Sequence, residues 1–409
     1  MRSEAVMAAR PRLRVVRPGE VAPAVARARA ERSARRVLFA ASLSTALLTT
    51  IGLVMVLSAS SVSAFATYGS SFLFFKRQLL YAAMGATALL AAARLPYRAW
   101  KRAWAPLLAV TVLLLALVLH PGAGTVVGGA ARWIQVGPFS LQPSELAKFG
   151  VVAAVAAILS RNADRLEAEP LRWMLPLFLI VGGVSILVLL QPDLGTMTVI
   201  AGTAFMMLFL AGVRLRLLAI SFFLSAGAGV VLVMGWGYRR ARLLSFLHPW
   251  SDPRNTGYQI VQSLIALGSG HLFGVGLGAS RQKWLYVPNA HTDFIFAILG
   301  EELGLLGELV VLVLFGALLW AGIRIALRAP DVFGKLLAGG ITAWLGLQAV
   351  VNLGAVTGIL PITGVPLPFV SFGGSSLVVS MGAVGVLLSV GRAGLPGRKP
   401  AAPARKKSR

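Results

Sequence analysis

The sequence contains no cysteine, and acidic side chains are scarce: its 409 residues include 14 Asp and Glu against 39 Lys and Arg. The absence of cysteine excludes disulfides, thiolate nucleophiles and cysteine-ligated metals. The four histidines, at positions 120, 248, 271 and 291, do not have the spacing of a zinc site. Only 13% of the residues are charged, against about 25% in soluble domains, and 57% are hydrophobic. This composition predicts a polytopic membrane protein.

A transmembrane helix needs about 20 predominantly apolar residues, and ten segments of the sequence approach that length and character. They are 38–60, 72–93, 105–119, 145–159, 173–190, 194–211, 217–236, 294–326, 336–357 and 375–390. We therefore predict an all-α fold, a membrane bundle of about ten transmembrane helices. This domain spans 37–392, between a basic tail at 1–36 that we expect to be disordered and a second basic tail at 393–409.

Lys and Arg are concentrated in alternate predicted loops. Loops 94–104, 160–172, 212–216 and 327–335 and both tails are basic, whereas loops 61–71, 120–144, 191–193 and 358–374 are almost free of Lys and Arg. The positive-inside rule places the basic loops and both termini in the cytoplasm. The basic tails are then expected to lie against anionic lipid rather than to bind nucleic acid.

The large loop 237–292, between the seventh and eighth predicted helices, is extracytoplasmic in this topology and yet basic. Its basic residues are Arg239, Arg240, Arg242, Arg254, Arg281 and Lys283. Long loops are translocated largely regardless of charge, so the topology holds. Either lipid headgroups or an anionic ligand such as a phosphate or pyrophosphate explains the charge.

Several polar motifs fall on the predicted outer side. The loop 120–144 carries Arg132 and Trp133. Glu145 and Lys148 follow at the start of the fourth helix, three residues apart and on one face, where they form either a structural ion pair or part of a site. Asp193 follows a proline at the start of the sixth helix, and helix capping is the favoured interpretation.

The loop 358–376 is apolar but is interrupted by proline and glycine. Non-helical backbone near a membrane is tolerated only where it is buried in protein or lines a cavity. Ser371, Gly373 and Ser375 offer hydroxyl and backbone N–H groups to an anion. A structural turn is the alternative, and the spacing does not decide between them.

The stretch 288–307 combines a polar loop with an acid-bearing apolar helix. Acids within an apolar span cost roughly 2.5–3.5 kcal/mol each at the bilayer centre, so Glu301 and Glu308 are expected to be buried and to hold the bundle together. Asp293 precedes the helix at the water interface and is the acid best placed to exchange protons. Glu301 lies roughly 12 Å deeper at about 1.5 Å per residue. Gly300 and Gly304 predict close packing against another helix.

Two classes of function compete on these facts. A transporter or flippase would place charged groups along a path through the membrane, and Glu301 and Glu308 keep such a path open. An enzyme would gather them at one surface, as Arg132, Glu145 and Asp293 are gathered in the predicted topology. The cluster favours an enzyme acting outside the membrane on an anionic, lipid-linked substrate.

Six long motifs carry a resemblance to a known family. They are GAARWI at 129–134, QPSELAK at 142–148, QPDLGT at 191–196, GYQIVQSLIALGSGHLFGVGLG at 257–278, HTDFIFAILGEELG at 291–304 and PITGVPLPFVSFGGSS at 361–376. Together they resemble the SEDS family of cell-wall proteins, the FtsW, RodA and SpoVE group. The sequence Arg281-Gln282-Lys283 is more similar to the division protein FtsW than to the elongation protein RodA. Asn289 departs from the family pattern, in which an acid is common at this position, and puts in doubt a second acid beside Asp293.

The resemblance implies a peptidoglycan glycosyltransferase that polymerises lipid II at the outer face of the bacterial cytoplasmic membrane. The acceptor hydroxyl would attack the donor sugar with inversion, giving a β-1,4 glycan strand and releasing undecaprenyl pyrophosphate. A division role with a class B penicillin-binding protein (a transpeptidase) and other division proteins as partners is then expected. Lipid II flipping, a RodA-type elongation role and a non-catalytic scaffold remain alternatives.

The resemblance also assigns roles to residues of this sequence. Asp293 matches the family's essential aspartate and would be the base. Arg132 and Lys148 would stabilise the leaving pyrophosphate, with a divalent cation, Mg²⁺ or Mn²⁺, as a further contributor. The other expected substrate-binding residues are Trp133, Glu145, His291, Thr292, Ser371, Gly373 and Ser375. Asp193 and Glu301 are expected to be structural or supporting.

Overall fold

The computed structural model describes residues 18–127, 130–137, 139–162, 169–234, 246–284 and 286–395. The fold within these residues is predominantly helical. The helices are α1 Pro18–Tyr68, α2 Leu73–Arg94, α3 Arg98–Leu119, α4 Pro143–Arg161, α5 Pro170–Leu190, α6 Leu194–Leu210, α7 Leu215–Met234, α8 Tyr258–Ser269, α9 Ile295–Leu327, α10 Val332–Val356 and α11 Gly374–Ala393. Each of the ten predicted spans overlaps one of these helices, and α8 is a further short helix outside the predicted spans.

Seven of the described helices are long and apolar enough to cross a membrane: α1, α3, α4, α5, α9, α10 and α11. Two further apolar helices, α6 and α7, are shorter. The protein is therefore a multi-pass helical membrane protein, and the predicted fold class is confirmed. The basic residues Lys76 and Arg77 near the start of α2 lower the hydropathy of that helix, although it packs closely on α1 and α11.

Helices rich in small residues lie at the centre of the bundle. The apolar window of α4 is 83% buried and that of α10 is 78% buried, whereas that of α3 is only 17% buried. Glycine and alanine let helix backbones approach closely, which is how membrane helices pack without a hydrophobic driving force between them. At Gly340 in α10, for example, a Cβ atom would lie 2.8 Å from Val152 in α4 and 2.7 Å from Met207 in α6.

Two features of the chain outside the core differ from what the sequence indicated. Residues 18–36, expected to be disordered, form the first turns of α1. Alanine and arginine are strong helix formers, and Arg35 pairs with Glu31 one turn earlier at 2.6 Å. The loop 120–144 contains a three-stranded antiparallel sheet in the order β1-β2-β3, for which no strands were predicted. Its strands are β1 Thr125–Val127, β2 Ala130–Val136 and β3 Phe139–Leu141. β-branched and aromatic residues such as Val126, Trp133 and Ile134 favour strands.

Helix α9 is broken at Gly304, where φ is 66° and ψ is −169°. The loop before it inserts at the break and satisfies the backbone groups that the break exposes. The N–H groups of Val275 and Gly276 donate to the carbonyls of Glu301 and Glu302 at 3.0 and 3.1 Å, and those of Leu305 and Leu306 donate to His271 and Leu272 at 3.0 and 3.2 Å. The expectation of one continuous helix was therefore wrong. Gly304 is required for its left-handed φ, and its close neighbours are loop residues rather than another helix.

Candidate active site

The predicted site motifs converge at one end of the bundle, which we term the site end. It contains the N-terminal ends of α4, α6, α9 and α11 and the C-terminal ends of α3, α5 and α10. Asp293 belongs to the HTDF segment, residues 291–294, immediately before α9. Next to it runs the proline loop, residues 361–372, between α10 and α11.

A tight turn presents the Asp293 side chain. Asn289 adopts a left-handed φ of 57°, a conformation that asparagine tolerates better than most residues. Its carbonyl accepts hydrogen bonds from the N–H groups of Thr292 at 3.0 Å and Phe294 at 3.4 Å. The Thr292 hydroxyl donates to the same carbonyl at 3.1 Å. The backbone on either side of Asp293 is therefore anchored to one acceptor.

The proline loop is bonded to the HTDF segment through the backbone. The Phe372 N–H donates to the His291 carbonyl at 2.9 Å, and the Ser371 hydroxyl donates to the Thr292 carbonyl at 2.6 Å. A Cβ atom placed on Gly364, whose φ is 73°, would lie 3.6 Å from Asp293 Oδ2. The carboxylate therefore lies directly beside the loop, at a position where the loop has no side chain.

His291 forms an apolar wall of the site. Its ring lies 4.7 Å from the Phe74 ring and 5.6 Å from the Phe372 ring. Burial lowers the pKa of His291 to about 4, because the charged imidazolium would lose hydration. The side chain is therefore neutral near pH 7 in this structure.

Glu145 and Lys148 form a buried ion pair at 2.8 Å, with each side chain 1% exposed. Lys148 Nζ also donates to Gln348 Oε1 at 2.6 Å and lies 5.3 Å from the Trp344 ring centroid. Between the two interpretations that the sequence allowed, this geometry is that of a structural pair. The expected contact between Lys148 and a pyrophosphate is not available in this structure, because the ammonium group is enclosed by protein.

Arg132 lies on β2 and ties the sheet to the turn before α6. Its Nε donates to the Gln191 carbonyl at 2.9 Å, and its Nη2 donates to the Pro192 carbonyl. Two of the five guanidinium donors are used in this way, and the side chain remains half-buried. Trp133, the next residue on β2, is also half-buried and pairs with Thr125.

Asp193 caps α6, as its position in the sequence indicated. Its carboxylate accepts hydrogen bonds from the Thr196 N–H at 3.0 Å and from the Thr196 hydroxyl at 2.9 Å. The side chain of Gln142 approaches the same carboxylate at 3.5 Å. Asp193 is thus a supporting residue that also joins α4 to α6.

Several polar groups of the proline loop and of the adjoining start of α11 are used within the protein. Gln78 in α2 donates to the Ser371 carbonyl at 3.2 Å and accepts from the Gly373 N–H at 3.4 Å. The Ser375 hydroxyl accepts from the Gln142 N–H at 3.1 Å. These bonds favour the structural-turn interpretation over an anion-binding loop, because the Ser371 hydroxyl and the Gly373 N–H already donate within the protein.

Glu301 and Glu302 hold the large loop against the break in α9. Glu301 accepts hydrogen bonds from the Ser280 hydroxyl at 2.5 Å and from the Arg281 N–H at 2.9 Å. Glu302 accepts from the Ser58 hydroxyl at 2.6 Å and pairs with Lys283 at 3.1 Å. The structural role expected for Glu301 fits this geometry. Lys283 is buried and paired, so this residue of the basic loop does not face an anionic ligand.

Two expectations remain, that the basic loop faces an anion and that a divalent cation contributes, and the described residues bear on only part of them. Arg239, Arg240 and Arg242 lie outside the described residues. Across the described ranges, no three His, Asp or Glu side chains converge as a cation site.

Sequence reasoning missed three buried amides near the site: Gln78 in α2, and Gln348 and Asn352 in α10. Gln348 and Asn352 were detectable, because they are polar residues four apart in an apolar helix and so share one face. Asn352 Nδ2 donates to the carbonyls of both Asp293 and Val365 at 2.8 Å.

Fold and site together define a class: a multi-pass helical membrane protein whose acid-bearing site lies at one end of its bundle. Within that class, the chain belongs to the FtsW, RodA and SpoVE family, whose model, described as "Cell cycle protein", matches residues 39–394.

Relatives and solved structures agree with this assignment. Stage V sporulation protein E of Bacillus subtilis (strain 168) is 48% identical over 349 residues, covering 85% of this chain and 95% of that protein. The "Probable peptidoglycan glycosyltransferase FtsW" of Geobacter metallireducens is 45% identical, covering 84% and 91%. A solved peptidoglycan synthase complex contains a chain similar to this one at a TM-score of 0.72 and 31% identity, covering 88% and 98%. The rod shape determining protein RodA of Thermus thermophilus is similar at a TM-score of 0.63 and 30% identity, covering 86% and 95%.

Proposed function

We propose that this protein is a peptidoglycan glycosyltransferase that polymerises lipid II into β-1,4 glycan strands. The single observation that carries the proposal is the placement of Asp293. Its carboxylate lies beside Gly364 of the proline loop, and its carbonyl is fixed by Asn352 at 2.8 Å. Curated relatives named as peptidoglycan glycosyltransferases support the same activity.

In the proposed reaction, Asp293 accepts the proton of the acceptor sugar's 4-hydroxyl. The hydroxyl oxygen forms a bond to C1 of the donor sugar, and the bond from C1 to the pyrophosphate oxygen breaks. Undecaprenyl pyrophosphate leaves with the bonding electrons, and the configuration at C1 is inverted. A positioned general base contributes about 10²–10⁴-fold to the rate of such a step.

The leaving pyrophosphate needs positive charge or N–H donors. Among the predicted cations, Lys148 and Lys283 are enclosed in ion pairs. Arg132 is half-buried and uses only two of its donors on backbone carbonyls. We therefore assign the leaving-group contact to Arg132 and a supporting role to Lys148.

The proposal includes the cellular setting. The site end faces the extracytoplasmic side of the bacterial cytoplasmic membrane, in accordance with the distribution of Lys and Arg among the loops. The expected partner is a class B penicillin-binding protein in cell division, and similarity to a chain of a peptidoglycan synthase complex supports such a pairing. The substrate's prenyl chain would enter from the lipid between helices.

The test is polymerisation of labelled lipid II by the purified protein with its transpeptidase partner. Asp293→Asn should abolish glycan formation while membrane insertion and co-purification of the partner remain. Polymer formed by this variant at the wild-type rate would remove Asp293 as the base. Lipid II crossing a vesicle membrane without any polymer would instead favour a flippase.

A further inference from the structure

Asn352 bridges the two segments that enclose the candidate site. Its Nδ2 donates one hydrogen bond to the Asp293 carbonyl and one to the Val365 carbonyl, each at 2.8 Å. The residue is 2% exposed. One amide group therefore holds the HTDF segment against the proline loop. Its bond to the HTDF segment is made to Asp293 itself, the proposed base.

Gln348 lies one turn earlier on α10 and makes a second contact with the proline loop. Its Nε2 donates to the Pro366 carbonyl at 2.9 Å. Its Oε1 accepts from Lys148 Nζ at 2.6 Å and from Trp344 Nε1 at 2.9 Å. Gln348 is fully buried, so its orientation is fixed by these three partners.

The two amides thus join the buried Glu145–Lys148 pair in α4 to the segments around Asp293. Charge-assisted hydrogen bonds are stronger than neutral ones, and Lys148 provides one to Gln348. Residues 348 and 352 are four apart, so a rigid helical turn transmits the position of one to the other. Both amides donate to backbone carbonyls of these segments, so the role that we assign to them is positioning rather than catalysis.

We propose that Asn352 and Gln348 are positioning residues: a buried amide pair on α10 that sets the distance between Asp293 and the proline loop. This inference rests on the proposed role of Asp293 as the base. A displacement of about 1 Å at a reacting group costs on the order of 100-fold in rate. Loss of the Asn352 bridge should therefore lower kcat strongly while the substrate, bound mainly elsewhere, keeps its KM.

The experiment compares Asn352→Leu, Gln348→Leu and the control Thr342→Val in the full-length protein co-purified with its partner. Leucine has the same branched arrangement of side-chain heavy atoms as asparagine, with a larger volume and no N–H group. Thr342 is a buried polar residue on the same helix whose hydroxyl bonds only the Ala338 carbonyl one turn earlier. We expect kcat for lipid II polymerisation to fall about 10- to 100-fold in Asn352→Leu, less in Gln348→Leu, and to stay within about two-fold in the control.

A local structural readout separates positioning from general destabilisation. In Asn352→Leu, the amides of Thr292 and Phe294 should exchange hydrogen faster, while the amides of 296–303 in α9 keep their protection. Wild-type kcat in a folded Asn352→Leu protein would overturn the inference, as would equal loss of protection throughout the bundle. Asp293→Asn is measured in parallel: its full activity would overturn the proposed function, whereas an inactive Asp293→Asn beside a fully active Asn352→Leu would overturn the positioning role alone.

Discussion

The buried pair of Glu145 and Lys148 gives a stability prediction that follows from geometry. The nitrogen and oxygen lie 2.8 Å apart, and each side chain is 1% exposed. Replacing Lys148 by methionine removes the positive charge but keeps most of the side-chain volume. Glu145 is then left as a buried, uncompensated carboxylate, and removing one partner of a buried pair costs about 3–5 kcal/mol.

Loss of other Lys148 contacts adds to this cost. The ammonium lies 5.3 Å from the Trp344 ring centroid, and a desolvated cation–π contact contributes up to about 2 kcal/mol. The Gln348 acceptor keeps its bond from Trp344 Nε1 at 2.9 Å, so it is not orphaned. The expected destabilisation of Lys148→Met is therefore at or above about 4 kcal/mol.

A double variant that removes both charges of the pair completes a double-mutant cycle. In Glu145→Gln/Lys148→Met neither charge of this pair remains, and replacement of a buried pair by neutral groups is often close to neutral in free energy. We expect the double variant to recover at least half of the loss. SDS-driven unfolding in mixed micelles, followed by tryptophan fluorescence, measures the free energy of unfolding of the wild type, Glu145→Gln, Lys148→Met and the double variant. Additive effects of the two substitutions, or a single variant as stable as the wild type, would refute the buried-pair reasoning.

Three further predictions follow from other parts of the structure. Gly304→Ala should destabilise the protein by at least about 1–2 kcal/mol, because the φ of Gly304 is left-handed and a Cβ there would meet the backbone of Leu272 and Gly274. The control is Gly316→Ala on the same helix. Because Gly316 has open space around it, this substitution should leave the melting temperature unchanged or raised. A melting temperature of Gly304→Ala equal to that of wild type would contradict the inference that the helix break requires glycine at this position. In the folded protein the pKa of His291 is lowered from 6.5 to about 4. Between these two pH values the folded state therefore binds fewer protons than the unfolded state. The free energy of unfolding should then fall as the pH drops from about 6.5 to about 4. His291→Phe should weaken this dependence, and an unchanged pH profile of melting would contradict it. Lys283→Met should release the large loop by leaving Glu302 unpaired, detected as faster proteolysis within 270–284; protease resistance equal to wild type would show that the pair does not hold the loop.

Much of the fold was predictable because apolar run length and loop charge are properties of the sequence alone. All ten spans lie in helices for this reason. The break at Gly304 was not predictable from hydropathy, since apolar residues continue on both sides of it and the compensating hydrogen bonds come from residues about 30 positions earlier. The small sheet around Arg132 was missed because its strands are short and depend on pairing with one another.

The site was predictable as a set of motifs but not as a set of contacts. Asp293 and the proline loop lie together as expected. Successive helices run in opposite directions, so both segments fall at the same end of the bundle. Lys148 is a different case: its position one turn into α4 was clear, but only packing reveals that Gln348 and Trp344 enclose it. Gln348 and Asn352 were visible as polar residues in an apolar helix, yet their partners are distant in sequence, so their role required the tertiary structure.

The central claim is that Asp293 is the base of a lipid II polymerase, and a rate comparison tests it most directly. Asp252 provides the matched control, since it is a half-buried aspartate in the preceding loop whose carboxylate bonds Asn255 and Thr256. Glycan polymerisation is measured at saturating lipid II for wild type, Asp293→Asn and Asp252→Asn, each co-purified with the transpeptidase. The account predicts a loss of about 10²–10⁴-fold for Asp293→Asn and the wild-type rate for Asp252→Asn. Equal rates for the two variants would contradict it.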